Sequence, residues 1–474
     1  MTRILTVDFG TTATKAALWD DHGLVAVGSS PVETRHPQPG WAEQDPGEWW
    51  RSLREAVAEL PDRTSLDAVG LCGARETFVP VTGELAPVGP GVLWSDRRAT
   101  AEAAALAGAH GGRETMRQCL GLVLDGSVMA AKVAWLASHD VDQLARARWL
   151  VTPRDWIAAR LTGTVATDPT MASKTGFFTV SGIPVSEFAA VAGSRLPPVI
   201  PSDSVIGTLL PEPAAELGLP AGTPVVPGAG DRACEVLGAA ASAAMPMVSW
   251  GTTANVSVPV ATLPDPLPPG LLVTKGARGG WIYEAGLSAS GAAIGWLASV
   301  CGTSPEELYA GAARSTPGAR GVIALPWLNG SRAPWWRPGA RAGFAGLTAA
   351  HGRDDLARAI IEGVALDVDR SLSAVAPDAS ALQATGGGSG GQLWRQVLAA
   401  VTDRPVVVRA VPDAAGAGAC LLAAAAIGAP LEVDALNPVV RDEQPDRALV
   451  AAYAAHRAHA DRVAAAIVDL DFEV

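Results

Sequence analysis

The chain has 474 residues, too many for one ordinary core, so two domains are expected. Its net charge of −12 argues against nucleic acid or an anionic membrane as partner, because both need a basic surface. Five scattered cysteines without a Cys-x-x-Cys pair read as buried thiols of a cytoplasmic protein. There is no signal-peptide core and no run of about 18 apolar residues to span a bilayer.

In chain order, Arg3 to Val7 is an apolar run suited to a buried strand. It ends at Asp8, and "DFGTTATK" turns the chain into a return strand. Asp21, His22 and Gly23 mark the hairpin to a third strand, so the opening is a meander rather than a strand–helix–strand unit. Asp45, Pro46 and Glu48 have the pattern of a helix N-terminus. "LDAVGLCG" is a buried strand ending at Gly73, and helices are expected from Thr100 to about Gly163. "TPVVPGAG" is a strand running into Asp231, with "RACEVLGAAASAA" as the helix after it. "MPMVSWGTTANVSVPV" then repeats the opening order of strand, Gly-Thr-Thr turn and strand. The boundary is placed there, giving domains 1–243 and 244–474. The second half closes with the strand and glycine turn "LQATGGGSGG", a helix, the strand "PVVVRAV" and a small-residue helix from Ala414. His456 and His459, three apart on the last helix, read as a polar face rather than a metal pair.

The duplicated turn suggests two jaws of a phosphate clamp, each offering backbone and hydroxyl donors. There is no Gly-x4-Gly-Lys-Ser/Thr, no Gly-x-Gly-x-x-Gly after the first strand and no protein-kinase motif set. Asp8 stands where a carboxylate can hold Mg²⁺ against nucleotide phosphates, and Lys15 can reach them as a point charge. In the second copy the Asp8 position holds Ser249, and the Lys15 position falls on Val256. Asp231, at the end of a glycine-rich strand, is placed to take a proton from an attacking hydroxyl, or simply to cap a helix. Trp41, Trp49, Trp50, Trp335 and Trp336 lie near expected loops where some can stack on a sugar, although most tryptophans serve packing.

The segments "DFGTTATK", "WAEQDPGEWW", "VLWSDRR", "VVPGAGDRACEVLG", "SWGTTANVS", "ARAGFAGLTAAHGRDDLARAIIEGVA" and "ATGGGSGGQLWRQVLA" resemble the FGGY carbohydrate kinases in order and spacing over nearly the whole chain. "SVMAAKVAWLASH" keeps Lys132, Trp135 and His139 of a second family signature but departs at Met129 and Ser138. The resemblance implies an α/β fold of two domains like actin, hexokinase and the heat-shock-chaperone ATPase (ribonuclease-H-like), with ATP and Mg²⁺ in a closing cleft. It places Gly10, Thr11, Thr12 and Lys15 on the first phosphate motif and Gly251, Thr252 and Thr253 on the second. Gly387, Gly388 and Gln392 fall on the adenosine motif, Asp231 on the catalytic base, and Asp8 with Asp231 are the magnesium candidates. The loop "GARET" keeps the Arg75–Glu76 pair of glycerol-type kinases, which suits a polyhydroxylated substrate. "LWSDRR" and the stretch from "WLVTPRDW" to "ASKTGFFTV" look like xylulokinases, and Trp94 and Asp96 either line the sugar pocket or, for Asp96, cap a helix. A xylulose-like ketopentose is the expected acceptor, with a polyol such as glycerol or erythritol as the alternative. A catalytically silent sugar sensor is the alternative of another class. The partner expected is a small sugar or polyol, with a homodimer as the candidate assembly.

Overall fold

The computed structural model describes residues 2–470. Six strands form the first sheet: β1 (Ile4–Phe9), β2 (Ala13–Asp20), β3 (Gly23–Pro31), β4 (Ala68–Gly73), β5 (Gly207–Thr208) and β6 (Pro224–Gly230). Their order is β3-β2-β1-β4-β6-β5. The first three make an antiparallel meander, and β1, β4 and β6 run parallel. The parallel strands are covered on both faces, which is why they read as unbroken apolar runs.

Seven strands form the second sheet: β7 (Met247–Trp250), β8 (Ala254–Val260), β9 (Leu272–Lys275), β10 (Trp281–Leu287), β11 (Leu382–Thr385), β12 (Val406–Arg409) and β13 (Val439–Glu443). Their order, β9-β10-β8-β7-β11-β12-β13, puts the β7–β8 hairpin beside a parallel neighbour, as β1–β2 is in the first sheet. This is the duplicated two-domain α/β arrangement of actin and hexokinase.

The two hairpins differ by one residue. Asp8 pairs with Lys15 and Phe9 with Thr14. In the second copy Ser249 pairs with Asn255 and Trp250 with Ala254. The second turn is tighter, so Asn255 stands across from Ser249, and Val256, the counterpart by simple spacing, is buried in the core instead. A one-residue change of register moves every side chain to the other face.

Helix α1 (Pro46–Ala58) starts where Asp45 accepts a hydrogen bond from Gly47 N at 2.8 Å. Its Trp49, Trp50, Leu53, Ala56 and Val57 pack with Leu5, Val7, Val69 and Leu71 of the first sheet. The helical stretch expected from Thr100 includes α2 (Met129–His139) and ends with Pro153–Thr162, but Trp149–Val151 interrupts it as a strand paired with Val79–Val81. Helix α3 (Asp231–Gly238) is shorter than its alanine-rich sequence suggests, and Ala240 just beyond it has φ 54°. Helices α4 (Gln392–Thr402) and α5 (Ala415–Ala426) follow β11 and β12. Helix α5 crosses back to the first sheet, where Ala417, Cys420, Leu421 and Ala424 pack with Ile4, Trp19, Ala68 and Val226. Among the described residues no helix is long and apolar enough to cross a membrane.

Candidate active site

Two loops from the first half and three strands from the second enclose a cavity of about 260 Å³. Arg75 and Glu76 reach it from the loop after β4, Trp94 from the loop after Gly91–Val92, and Asp231 from the first turn of α3. Thr253, Asn255 and Glu284 face them from β8, its turn and β10.

The Arg75 guanidinium is held on both sides. It donates two hydrogen bonds to Glu284, at 2.6 and 2.9 Å, and its Nε lies 3.2 Å from Asp231 Oδ1. Glu284 is 3% exposed and also accepts from Thr274 Oγ1 at 2.6 Å. Burial alone would favour the neutral acid, but the Arg75 charge and hydrogen bonds hold the Glu284 carboxyl far below the usual range. Glu76, at φ 66°, turns its carboxylate toward Lys174, 3.5 Å away. Beneath this loop, the buried Lys132 donates to Leu93 O at 2.5 Å and Glu76 O at 3.4 Å. Burial pushes its amine down to about 7. The same lysine thereby ties the Arg75–Glu76 loop to the Trp94 loop.

The Asp231 backbone is set by a kink in β6. Pairing with β4 shifts register between Val226 and Ala229, and Gly228 in the shift has φ 62°. A Cβ there would fall 1.8 Å from Leu71 O, so only glycine fits. Gly230 N donates to Thr170 Oγ1 at 2.7 Å. Thr170 is held by Asp168, which also takes Arg154 and Ser202, each at 2.7 Å. "TDPT" is therefore a brace under the strand that presents Asp231.

In the first hairpin, Asp8 and Lys15 face one another across β1 and β2. Lys15 is paired with Asp413, from the loop before α5. Partial burial opposes the lysine's charge, but Asp413 outweighs it and holds the ammonium above its ordinary range. Asp8 Oδ1 is buried and has no hydrogen-bond partner. Burial, together with the charges of Asp413 and Asp231, raises the Asp8 carboxyl to about 7. Gly10 and Thr11 are half-buried, and Thr12, Gly251, Thr252 and Thr253 are exposed. Trp94 Nε1 donates to Thr11 Oγ1 at 2.8 Å, which links the first turn to the cavity of Arg75 and Asp231.

The second Gly-Thr-Thr turn touches both sides. Thr253 lines the cavity with Asp231, and Gly251 lines another of about 390 Å³ with Gly387, Gly388, Gln392 and the rings of Tyr309 and Trp394. Gly386 begins this glycine run at φ 77°, where a Cβ would meet Trp250 O at 2.3 Å.

Asp96 is not brought to either cavity. It is fully buried, accepts from Ala42 N at 2.7 Å and from Arg98 N at 2.9 Å, and pairs with the Arg98 guanidinium. Arg98 in turn lies over Trp41 at 3.7 Å, and Trp135 stacks on His139, so the family-signature aromatics pack a wall rather than a ligand. Trp49 and Trp50 belong to the first core, while Trp336 does line the cavity of Arg75 and Asp231. Sequence reasoning missed Glu284, Asp413, Lys174, Asn255 and Arg332. Asp413 carries a weaker form of the signal used for Asp8 and Asp231, an aspartate near a strand end. Glu284 is a lone acid in the buried strand "WIYEAGL", which demands a partner.

Residues 3–238 match the N-terminal domain of the FGGY family of carbohydrate kinases and residues 246–427 its C-terminal domain. The xylulose kinase of Escherichia coli (strain K12) is 29% identical over 476 residues, covering 95% of this chain and 96% of its own. The glycerol kinase of Alkalilimnicola ehrlichii is 31% identical over 458 residues, covering 90% and 91%. The crystal structure of a xylulose kinase from Rhodospirillum rubrum superposes with a TM-score of 0.88 over 98% of each chain, at 29% identity. The chain belongs to the FGGY family of carbohydrate kinases, and it is an ATP-dependent phosphotransferase with an alcohol group as acceptor. Xylulose and glycerol kinases match it about equally well, so kinship does not decide the acceptor.

Proposed function

We propose that this kinase transfers the γ-phosphoryl group of ATP to a hydroxyl of a small sugar or polyol held between the Arg75–Glu76 loop and strands β8 and β10. The observation that carries this reading is the shared turn: Gly251 lies in the cavity of the glycine run and Thr253 in the cavity of Asp231. A nucleotide with its base at Gly387, Gly388 and Gln392 would lay its phosphates over Gly251–Thr253 and Gly10–Thr12, with Lys15 beside them, and present the terminal one to the acceptor.

Asp231 acts as general base. The hydroxyl oxygen forms a bond to the γ-phosphorus, the bond from that phosphorus to the β-phosphate oxygen breaks, and the hydroxyl proton passes to the Asp231 carboxylate. Arg75, fixed by Glu284, keeps that carboxylate oriented. Asp8 fits a magnesium site: its Oδ1 is buried and unpartnered, and Asp413 and Asp231 add negative charge around it. Asp8 and Asp231 would hold the ion largely through water and phosphate, since no cluster of three metal-ligating side chains exists among the described residues. When bound, the ion neutralises developing phosphate charge.

The xylulokinase-like "LWSDRR" makes a ketopentose the first acceptor to try, and the Arg75–Glu76 pair makes a polyol the second. Retention of Asp8, Lys15 and Asp231 speaks against a silent sensor. ADP release measured with ketopentoses, ketohexoses, glycerol and erythritol tests the reading, which fails if no acceptor exceeds ATP alone. Asp231→Asn is expected to lower kcat by ~10²–10⁴-fold while magnesium-ATP still raises the melting temperature. Full turnover in that variant would remove Asp231 from its role.

A further inference from the structure

The acceptor cavity contains a patch furnished for negative charge. Asn255 on β8 stands opposite Gly286 on β10. Gly286 leaves open the space a Cβ would take, and that space lies 3.6 Å from Asn255 Nδ2 and 3.8 Å from Arg332 Nη1. The Asn255 amide is oriented, because its Oδ1 accepts from Ser257 Oγ at 2.7 Å and leaves the N–H groups to the cavity. Among the described residues neither those N–H groups nor the Arg332 guanidinium has a hydrogen-bond or ion-pair partner.

Among the described residues Arg332 is the cation of this cavity that touches no carboxylate directly. Arg75 is taken by Glu284, Lys174 by Glu76, and Arg232 by Glu235 at 2.5 Å. Arg97 reaches the same cavity from the opposite half, with its nearest carboxylate, Asp125, 3.8 Å away. Burial and the Arg97 charge push the Arg332 guanidinium down, and Asp125 and Glu76 offset this only in part. Two convergent sets of donors over a side-chain-free patch, with no carboxylate among the described residues in direct contact, match an anionic oxygen group. Such a group could belong to the nucleotide or to the acceptor. Asn255, Gly286 and Arg332 line the cavity of Arg75, Glu76 and Trp94, and none of the three lines the cavity of Gly387, Gly388 and Gln392.

We propose that the preferred acceptor is a small aldonic acid, its carboxylate over Gly286 against Asn255 and Arg332 and a hydroxyl directed at Asp231. This rests on the kinase reading above and narrows its substrate class. The products are ADP and a phosphorylated aldonate, with the hydroxyl proton taken by Asp231 as before.

The test is ADP release by the full chain with aldonates of four to six carbons, the alditols of matching length, D-xylulose and glycerol. An aldonate is expected to show a kcat/KM at least roughly tenfold above its alditol and above D-xylulose, in keeping with one charge-assisted contact. Arg332→Met is expected to raise KM for that aldonate roughly 10- to 100-fold more than for a neutral acceptor, with Arg332→Lys recovering part of the loss. Gly286→Ala, which fills the patch, should fall in the same direction. Neutral acceptors turning over as well as any aldonate would overturn the proposal and leave the kinase reading standing. So would an Arg332→Met loss that is equal for all acceptors or that appears in the KM for ATP, which would make the patch a nucleotide phosphate site. Silence from every acceptor, acidic or neutral, would sink both readings.

Discussion

Lys132 never reaches the cavity, yet it couples the acceptor loops to pH. It is 1% exposed, and its folded value of about 7 lies well below the ordinary 10.5. Between these values the unfolded chain binds the proton and the folded chain does not, so stability rises with pH across that window. Below about 7 the fold carries a buried ammonium at a cost of up to about 4–5 kcal/mol. In urea titrations, wild type should gain about 2–3 kcal/mol over Lys132→Met between pH 7 and 9.5. A difference that stays flat would show the amine to be solvated. Asp8 has the opposite sign. Its folded value, about 7, is raised above 3.8, so its penalty is complete above 7 and is relieved as pH falls toward 3.8. Without nucleotide, Asp8→Asn should melt at a higher temperature than wild type at pH 8, by a margin that narrows at pH 5, while its turnover is lost. Equal margins at the two pH values would refute the assignment. Asp8, Lys15 and Asp231 were legible because a charged side chain at a glycine-flanked strand end has few structural uses. Arg332 and Asn255 were not, because their meaning depends on which neighbours leave them unpaired.

Strands, hairpins and the Asp45 cap follow from local patterns, and most appear where those patterns place them. The departures have physical causes. The second Gly-Thr-Thr hairpin is one residue tighter, a matter of backbone geometry that identical turn letters conceal, and this puts Asn255 rather than Val256 across from Ser249. Helix α3 stops at Gly238 although alanines continue, because the chain must turn there into the second sheet. The brace below β6 also escaped a linear reading. Arg154 and Asp168 are fourteen positions apart, and nothing local pairs them, but in the fold both are fully buried and joined at 2.7 Å. Arg154 keeps Asp155 as a second carboxylate at 2.5 Å, so losing Asp168 leaves the guanidinium half-compensated and also strips Thr170 and Ser202 of their acceptor. Asp168→Ala is expected to cost about 3–5 kcal/mol in urea unfolding. It should also lower kcat more than it raises the KM for ATP, because Thr170 would no longer hold Gly230 beside Asp231. A loss below about 1 kcal/mol would mean that water enters and replaces the carboxylate.

The two halves are not independent bodies. Helix α5 leaves the second sheet and closes the core beneath β1, β4 and β6, so the first half is incomplete without residues beyond 410. Polar pairs then cross the cleft itself: Lys15 with Asp413, Thr385 with Glu235, and Arg75 with Glu284. The last is the most deeply buried, and it joins the Arg75–Glu76 loop of one half to strand β10, in the edge hairpin of the other. Arg75 was read as a hydroxyl donor to the acceptor, but its fork is occupied by Glu284, which makes the pair a link between cleft geometry and the orientation of Asp231. Glu284→Gln leaves the arginine with Asp231 as its one close carboxylate. The variant keeps one counter-charge for Arg75, so it should lose about 1–3 kcal/mol and, with Asp231 drawn further into that ion pair, most of its turnover. Because the folded Glu284 carboxyl titrates far below its ordinary value, the pair's contribution is present above about pH 4.5 and fades only in acid, so the loss should be the same at pH 6 and pH 8. Replacing both residues with methionine separates the two roles. If the pair acts mainly through its charges, Arg75→Met with Glu284→Met should recover most of the lost stability, since no charge is left stranded, while turnover stays low because, among the described residues, only the backbone of Arg232 then holds Asp231. If instead the double variant is as unstable as the sum of its single changes, the two residues are not coupled, and the cleft is held by its other contacts.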